Sequence, residues 1–225
     1  DPFPVPAKYR IDPNDAAAKY FVFQPSGGWG NQKFILQWAM RAANAMDRIL
    51  VVPMIAPHSM MWWGYANLSA TEMVGAHRIL DLEALARGTV RGIRVHVGRI
   101  PDLRNTRWGP GPLGKKTWKV HTKQQLKAMP DGTQGVNWLT ENAIRFHWRK
   151  RTEDVVFWQK GSMWMCCAGG ERMAPYIMFN RELKEMAIHV ASLLFGKGAA
   201  FDAVHVRRAD GHTRIDRRTA KHYIE

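Results

Sequence analysis

Cysteine is nearly absent: the 225-residue chain has two, Cys166 and Cys167, side by side. Neighbouring cysteines close a strained ring if they bridge to one another, and two thiols cannot complete a structural zinc site. They read as small buried side chains or as a pair whose partners lie outside the chain, and the redox compartment stays open. No apolar run reaches the ~18 residues that a membrane-crossing helix needs. No signal peptide and no initiator Met are visible, and "DPFPVPAKYR" reads as a Pro-rich lead-in over residues 1–19, as in a processed or trimmed chain. Carboxylates are also scarce, with 19 Asp and Glu against 33 Lys and Arg. The formal charge of +14 fits either a generally basic, soluble surface or an anionic partner: nucleic acid, a membrane surface or a phosphorylated small molecule.

What is present is globular. Ten Trp and twelve Met accompany ordinary aliphatic content, which excludes a disordered chain. Apolar runs and helical patterns alternate. "YFVFQ" (20–24) reads as a buried strand and residues 31–47 as a helix, with Phe34, Trp38, Ala42 and Ala45 on its inner face. "RILVVP" (48–53) follows as a second strand stopped by Pro53. Such a strand–helix–strand unit makes a parallel pair.

Further on, "HRILDLEALAR" (77–87) predicts a helix ended by Gly88, and "TVRGIRVHV" (89–97) a strand. Residues 101–118, rich in Gly, Pro and basic side chains, predict a long loop. A short strand and a helix over 122–129 follow, then a strand at 154–159. Residues 180–196 give the clearest helix, started by Asn180 and ended by Gly196, with Leu183, Ala187, Val190 and Leu194 as its apolar stripe. "FDAVHVRR" (201–208) predicts a last buried strand. The whole reads as α/β, a Rossmann-like open parallel sheet with helices on both faces, occupying residues 20–225.

Ligands of open parallel sheets bind beyond the C-terminal strand ends. Two segments belong there. "PSGGWGNQ" (25–32) feeds a helix N-terminus, whose free amides and dipole favour an anion. Gly27, Gly28 and Gly30 permit close backbone approach, and Asn31 suits either a helix cap or a ligand contact. The spacing matches neither the dinucleotide fingerprint nor the phosphate loop. The second segment, "HVRRADGH" (205–212), sets Arg207 and Arg208 past a strand, with His205 on the face of Arg207. Arg suits bidentate contact with phosphate. A capped tight turn and a solvated, salt-bridged turn are the plain alternatives.

Taken in order, "GGWGNQ", "RILVVP", "ILDLEAL" (79–85), "YIMFNRELKEMAIHVASLL" (176–194) and "HVRRAD" resemble the GDP-fucose-dependent fucosyltransferases, both the protein O-fucosylating and the α-1,6 groups. The resemblance implies the N-terminal half of a GT-B fold and inverting, metal-free transfer of fucose from GDP-fucose to a protein or glycan hydroxyl. It implies that Arg207, assisted by Arg208, neutralises the departing pyrophosphate and that Asn31 lies against the donor phosphate or acceptor. Gly28, Gly30, His205 and Asp210 would complete the donor pocket. Asp216 lies near the place of the general base in some members; Glu72 and Glu83 read as surface residues.

It also implies a secretory lumen, with which the sequon at Asn67 agrees. The chain runs about fifteen residues past Asp210, so the C-terminal donor domain is expected to be absent. The rival expectation is a catalytically inactive transferase-fold subunit of a basic, RNA-containing organellar assembly. "FHWRKR" (146–151) is read as a solvated element end that could also touch nucleic acid.

Overall fold

The computed structural model describes residues 4–25, 27–55, 73–121, 145, 149–158 and 170–198. The chain forms two compact units, Asp1–Leu183 and Lys184–Glu225.

The first unit is built on five parallel strands: β1 (Tyr20–Phe23), β2 (Ile49–Val52), β3 (Ile93–Val95), β6 (Trp118–His121) and β7 (Val155–Trp158), in the order β3-β2-β1-β7-β6. The expected α/β, Rossmann-like parallel sheet is therefore present. Phe21 sits in register between Leu50 and Val156. The central strands are apolar at every position because both faces are covered. Phe21, Phe23, Leu50, Val52, Val156 and Trp158 point into one core, and Tyr20, Val22, Val51 and Val155 into the other. Strand β3 is shorter than the predicted 89–97, since Gly92 turns the chain at φ +75° just before it.

The first core is closed by α1 (Trp29–Met46) and α2 (Leu82–Arg87). Alanines 39, 42, 43 and 45 face the sheet and let α1 approach closely, while Trp38 lies 4.4 Å from Trp158. Phe34, expected on this inner face, is exposed instead; Ile35 and Leu36 are buried beside it. Helix α1 ends at Asp47, which adopts a left-handed φ of +56° and forms a two-pronged pair with Arg91 at 2.8 Å. Helix α2 is shorter than predicted and is capped by Asp81, whose Oδ1 accepts from the Ala84 amide at 3.0 Å. Glu83 is an exposed helix residue, as expected, and pairs with Lys8.

Among the described residues the opposite face is covered by the segment around Ile100, Leu103 and Leu113. This corrects the expectation of a plain loop over 101–118. It contains a 3-10 turn (Ile100–Leu103) and a small antiparallel hairpin, β4 (Asn105–Thr106) with β5 (Gly109–Pro110). The prolines and glycines that suggested a loop here make the turns of an anchored hairpin.

The N-terminal segment also packs down: Val5, Tyr9 and Ala18 are buried, and the Lys116 ammonium donates to the carbonyls of Asp15, Ala16 and Ala18 at 2.6–3.1 Å.

Helix α3 (Arg181–Phe195) begins at Asn180, whose Oδ1 accepts from the Leu183 amide at 2.9 Å, and stops at Gly196, with φ +89°. Its ends agree with expectation, but its apolar stripe does not: no residue of the helix is buried. The second unit is described over residues 184–198, the remainder of this helix and its stop. The predicted helix at 122–129 and strand at 201–208 lie outside the described residues.

Candidate functional site

Strand order reverses at β1: the chain moves outward through β2 and β3, and β7 and β6 lie on the other side. Crevices at such reversals, beyond the C-terminal strand ends, are where parallel α/β sheets hold ligands. The β1–α1 turn stands there. The Gln24 amide still donates to the Trp158 carbonyl at 3.1 Å, extending the β1–β7 ladder by one bond. The chain then turns through Gly27 at φ +78° and enters α1 two residues earlier than predicted.

This early entry changes the role of the amides. Asn31 is not the cap. Gly28 occupies the cap position, with no side-chain hydrogen bond, and Gly30 and Asn31 lie in the first helical turn. The first intrahelical bond is donated by Gln32 to the Gly28 carbonyl at 3.0 Å. The amides of Trp29, Gly30 and Asn31 therefore have no helical acceptor. No carboxylate stands in that first turn, so the positive end of the dipole is not neutralised locally.

The turn is held rather than loose. The Gln32 side chain is 3% exposed, and its Nε2 donates to the Gly27 carbonyl at 2.7 Å. The Asn31 side chain lies over Gly27: a Cβ added there would come within 2.6 Å of Asn31 Nδ2. Gly27 thus satisfies two demands, a left-handed backbone and space for the amide. Trp29 stacks on Phe179 at 5.7 Å and pins the helix entry from the side. At the end of β3, His96 is buried and its Nε2–H donates to the Arg99 carbonyl at 2.8 Å. Burial holds this imidazole below its ordinary pKa, with the Arg99 carbonyl and Asp102 opposing.

Of the residues singled out from the sequence, Gly28, Gly30 and Asn31 come together in this turn. His205, Arg207, Arg208, Asp210 and Asp216 lie outside the described residues, as do Glu72, the sequon at Asn67 and both cysteines. Gln32 was missed as the tether. Its only signal was an amide one position past Asn31, in a place normally turned to the surface. Among the described residues no cluster of His, Cys, Asp or Glu could hold a metal ion, and no helix is long and apolar enough to cross a membrane.

No protein-family model matches the sequence, and no curated protein does. Solved structures do. The fold is similar to that of POFUT1. The crystal structure of POFUT1 in complex with GDP-fucose matches with a TM-score of 0.50 at 16% identity, covering 82% of this chain and 57% of that one. The POFUT1 apo form matches at 0.45 and 18% identity, over 81% and 56%, and the GDP complex at 0.44 and 17%, over 82% and 57%. At this identity the likeness establishes a fucosyltransferase-like fold and nothing finer. The chain spans a little over half the length of the structures it matches.

Proposed function

We propose that the chain is the acceptor-side, N-terminal domain of a fucosyltransferase-like enzyme, and that its β1–α1 turn meets the phosphates of a GDP-sugar donor. The observation that carries this reading is the turn itself: three backbone amides without helical acceptors, no neutralising carboxylate, and a tethered Gly27, at the reversal of a parallel sheet. The shared fold with a POFUT1 solved with GDP-fucose supports the choice of donor.

In the proposed reaction the acceptor hydroxyl oxygen attacks the anomeric carbon of fucose. The bond to the β-phosphate oxygen breaks, its electron pair leaves with GDP, and the configuration inverts. The proton passes to a base, for which Asp216 is the candidate. Arg207, with Arg208, meets the charge developing on the leaving diphosphate, the kind of stabilisation that acts most strongly where charge appears only in the transition state. Gly28 and Gly30 allow the backbone to approach the donor, Asn31 supplies a polar contact, and His205 and Asp210 shape the pocket. The acceptor is a protein or glycan hydroxyl. The donor domain of such an enzyme lies beyond this half, so transfer is a property proposed of the complete enzyme.

Calorimetric titration of the protein with GDP-fucose, GDP and UDP tests the reading. Binding of GDP-fucose and GDP but not UDP, weakened by roughly tenfold or more in Arg207→Ala through loss of a charge-assisted contact, is expected. Equal heats for all three ligands, or an Arg207→Ala variant that binds like the parent, would refute it.

A further inference from the structure

At the opposite end of the sheet, before the N-termini of β6 and β7, the hairpin β4–β5 presents Trp108 to solvent at 87% exposure. An indole this bare on a rigid support is uncommon, because burying it against the body would be favourable. The support is firm. Leu103 and Leu113 on either side are fully buried, and the Gly111 and Leu113 amides donate to the Arg104 and Leu103 carbonyls at 2.9 and 2.8 Å. Thr106 Oγ1 accepts from the Trp108 amide and donates to the Gly109 carbonyl, both at 3.1 Å. The Arg107 guanidinium lies 5.0 Å from the Trp108 ring centre, covering one side and leaving the other open.

Charge around the tip is one-sided. Residues 99–119 carry six Lys and Arg and a single carboxylate, Asp102, which is paired with Arg99. Arg104, Arg107 and Lys115 are exposed, and none makes an ion pair among the described residues. The Lys116 ammonium donates to three carbonyls and lies 5.9 Å from the Tyr20 ring centre, with no carboxylate in an ion pair with it among the described residues. Beside the hairpin a cleft of about 590 Å³ is lined by Pro13, Asn14, Pro110, Pro112, Lys115 and Lys116. The Asp154 carboxylate in the same wall is held by the amide and hydroxyl of Thr117 at 2.9 Å.

We propose that this hairpin and cleft bind single-stranded nucleic acid, a base stacking on the open face of Trp108 and the phosphates lying across Arg104, Arg107 and Lys115. An aromatic face beside unpaired cations answers the two features that such a strand offers together, a flat π system and a phosphate backbone. An acidic peptide or a sulfated glycan offers the charge without the π system. The overall charge of +14 acts in the same direction by drawing polyanions toward the surface. The inference does not depend on the donor site at the far end of the sheet.

Fluorescence anisotropy of a labelled twelve-nucleotide oligouridine, titrated with the full chain, tests it. Binding is expected at low salt, with affinity falling with salt at a log–log slope of about −2, as three phosphate contacts on a single strand predict. Trp108→Ala should weaken binding between about fivefold and a hundredfold, and Trp108→Phe should restore most of it. The melting temperature should stay at the parent value, since the ring is exposed. No binding at low salt overturns the proposal. So does a Trp108→Ala variant that binds like the parent, or a polyglutamate of equal charge that competes as well as the oligonucleotide.

Discussion

Arg48 shows how a single residue can hold the sheet together from below. It is 1% exposed, yet among the described residues it forms no ion pair with a carboxylate; its guanidinium instead donates to the carbonyls of Arg151, Glu153 and Asp154 at 2.8–3.1 Å. Those carbonyls belong to the approach to β7, so one side chain ties the end of α1 to the start of a strand two places away in the sheet. Burial lowers the pKa of this group, with Glu153 and Asp154 opposing. Replacing it by Met would leave three carbonyl oxygens without these donors. A loss of about 2–4 kcal/mol is expected for Arg48→Met, read from the urea midpoint, because orphaned buried acceptors are costly. The residue lies at the end of the sheet away from the β1–α1 turn, so nucleotide binding by the fraction that folds should be unchanged.

At the scale of the element, the β1–α1 turn is the informative case. Gln32→Leu keeps the volume and removes the donor to the Gly27 carbonyl. The expected cost is about 1–3 kcal/mol in denaturant unfolding. Under the proposed function a weaker affinity for GDP-fucose accompanies it, since the turn no longer holds its amides in place. Gln32→Glu cannot donate at neutral pH and should lose more of both. A Gln32→Leu variant with parental stability would show that the hydrogen bond does not hold the turn.

The sequence pattern reached this element but not its geometry. Strands β1, β2 and β7 were legible because burial on both faces demands an unbroken apolar run, and the body of α1 because its alanines and Trp38 repeat at helical spacing. The start of α1 was not, because Asn is a better intrinsic cap than Gly. Here the cap falls to Gly28, with Gln32 tying the turn from inside. The hairpin at 105–110 was hidden by residues that usually break strands. The stripe of α3 was legible as a pattern, but burial depends on what a helix packs against, which periodicity does not reveal.

For the whole molecule, pH should act through two routes of the same sign. The chain carries nine histidines on top of its charge of +14, so acidification adds self-repulsion. His96 adds a specific route. Burial holds its folded pKa below the ordinary value. Once the pH drops under the unfolded value of about 6.5, the unfolded chain takes up a proton that the folded chain refuses. Stability therefore rises with pH across this window and is lost as pH falls from about 6.5 toward the folded pKa, at up to about 1.4 kcal/mol per pH unit. His96→Gln keeps an amide able to donate to the Arg99 carbonyl but cannot titrate. Urea midpoints at pH 7.5, 6.5 and 5.5 should fall more steeply for the parent than for this variant, while the repulsion shared by the other eight histidines affects both alike. Parallel curves would mean that His96 becomes protonated in place, and that acid sensitivity resides in the overall charge rather than in this buried ring.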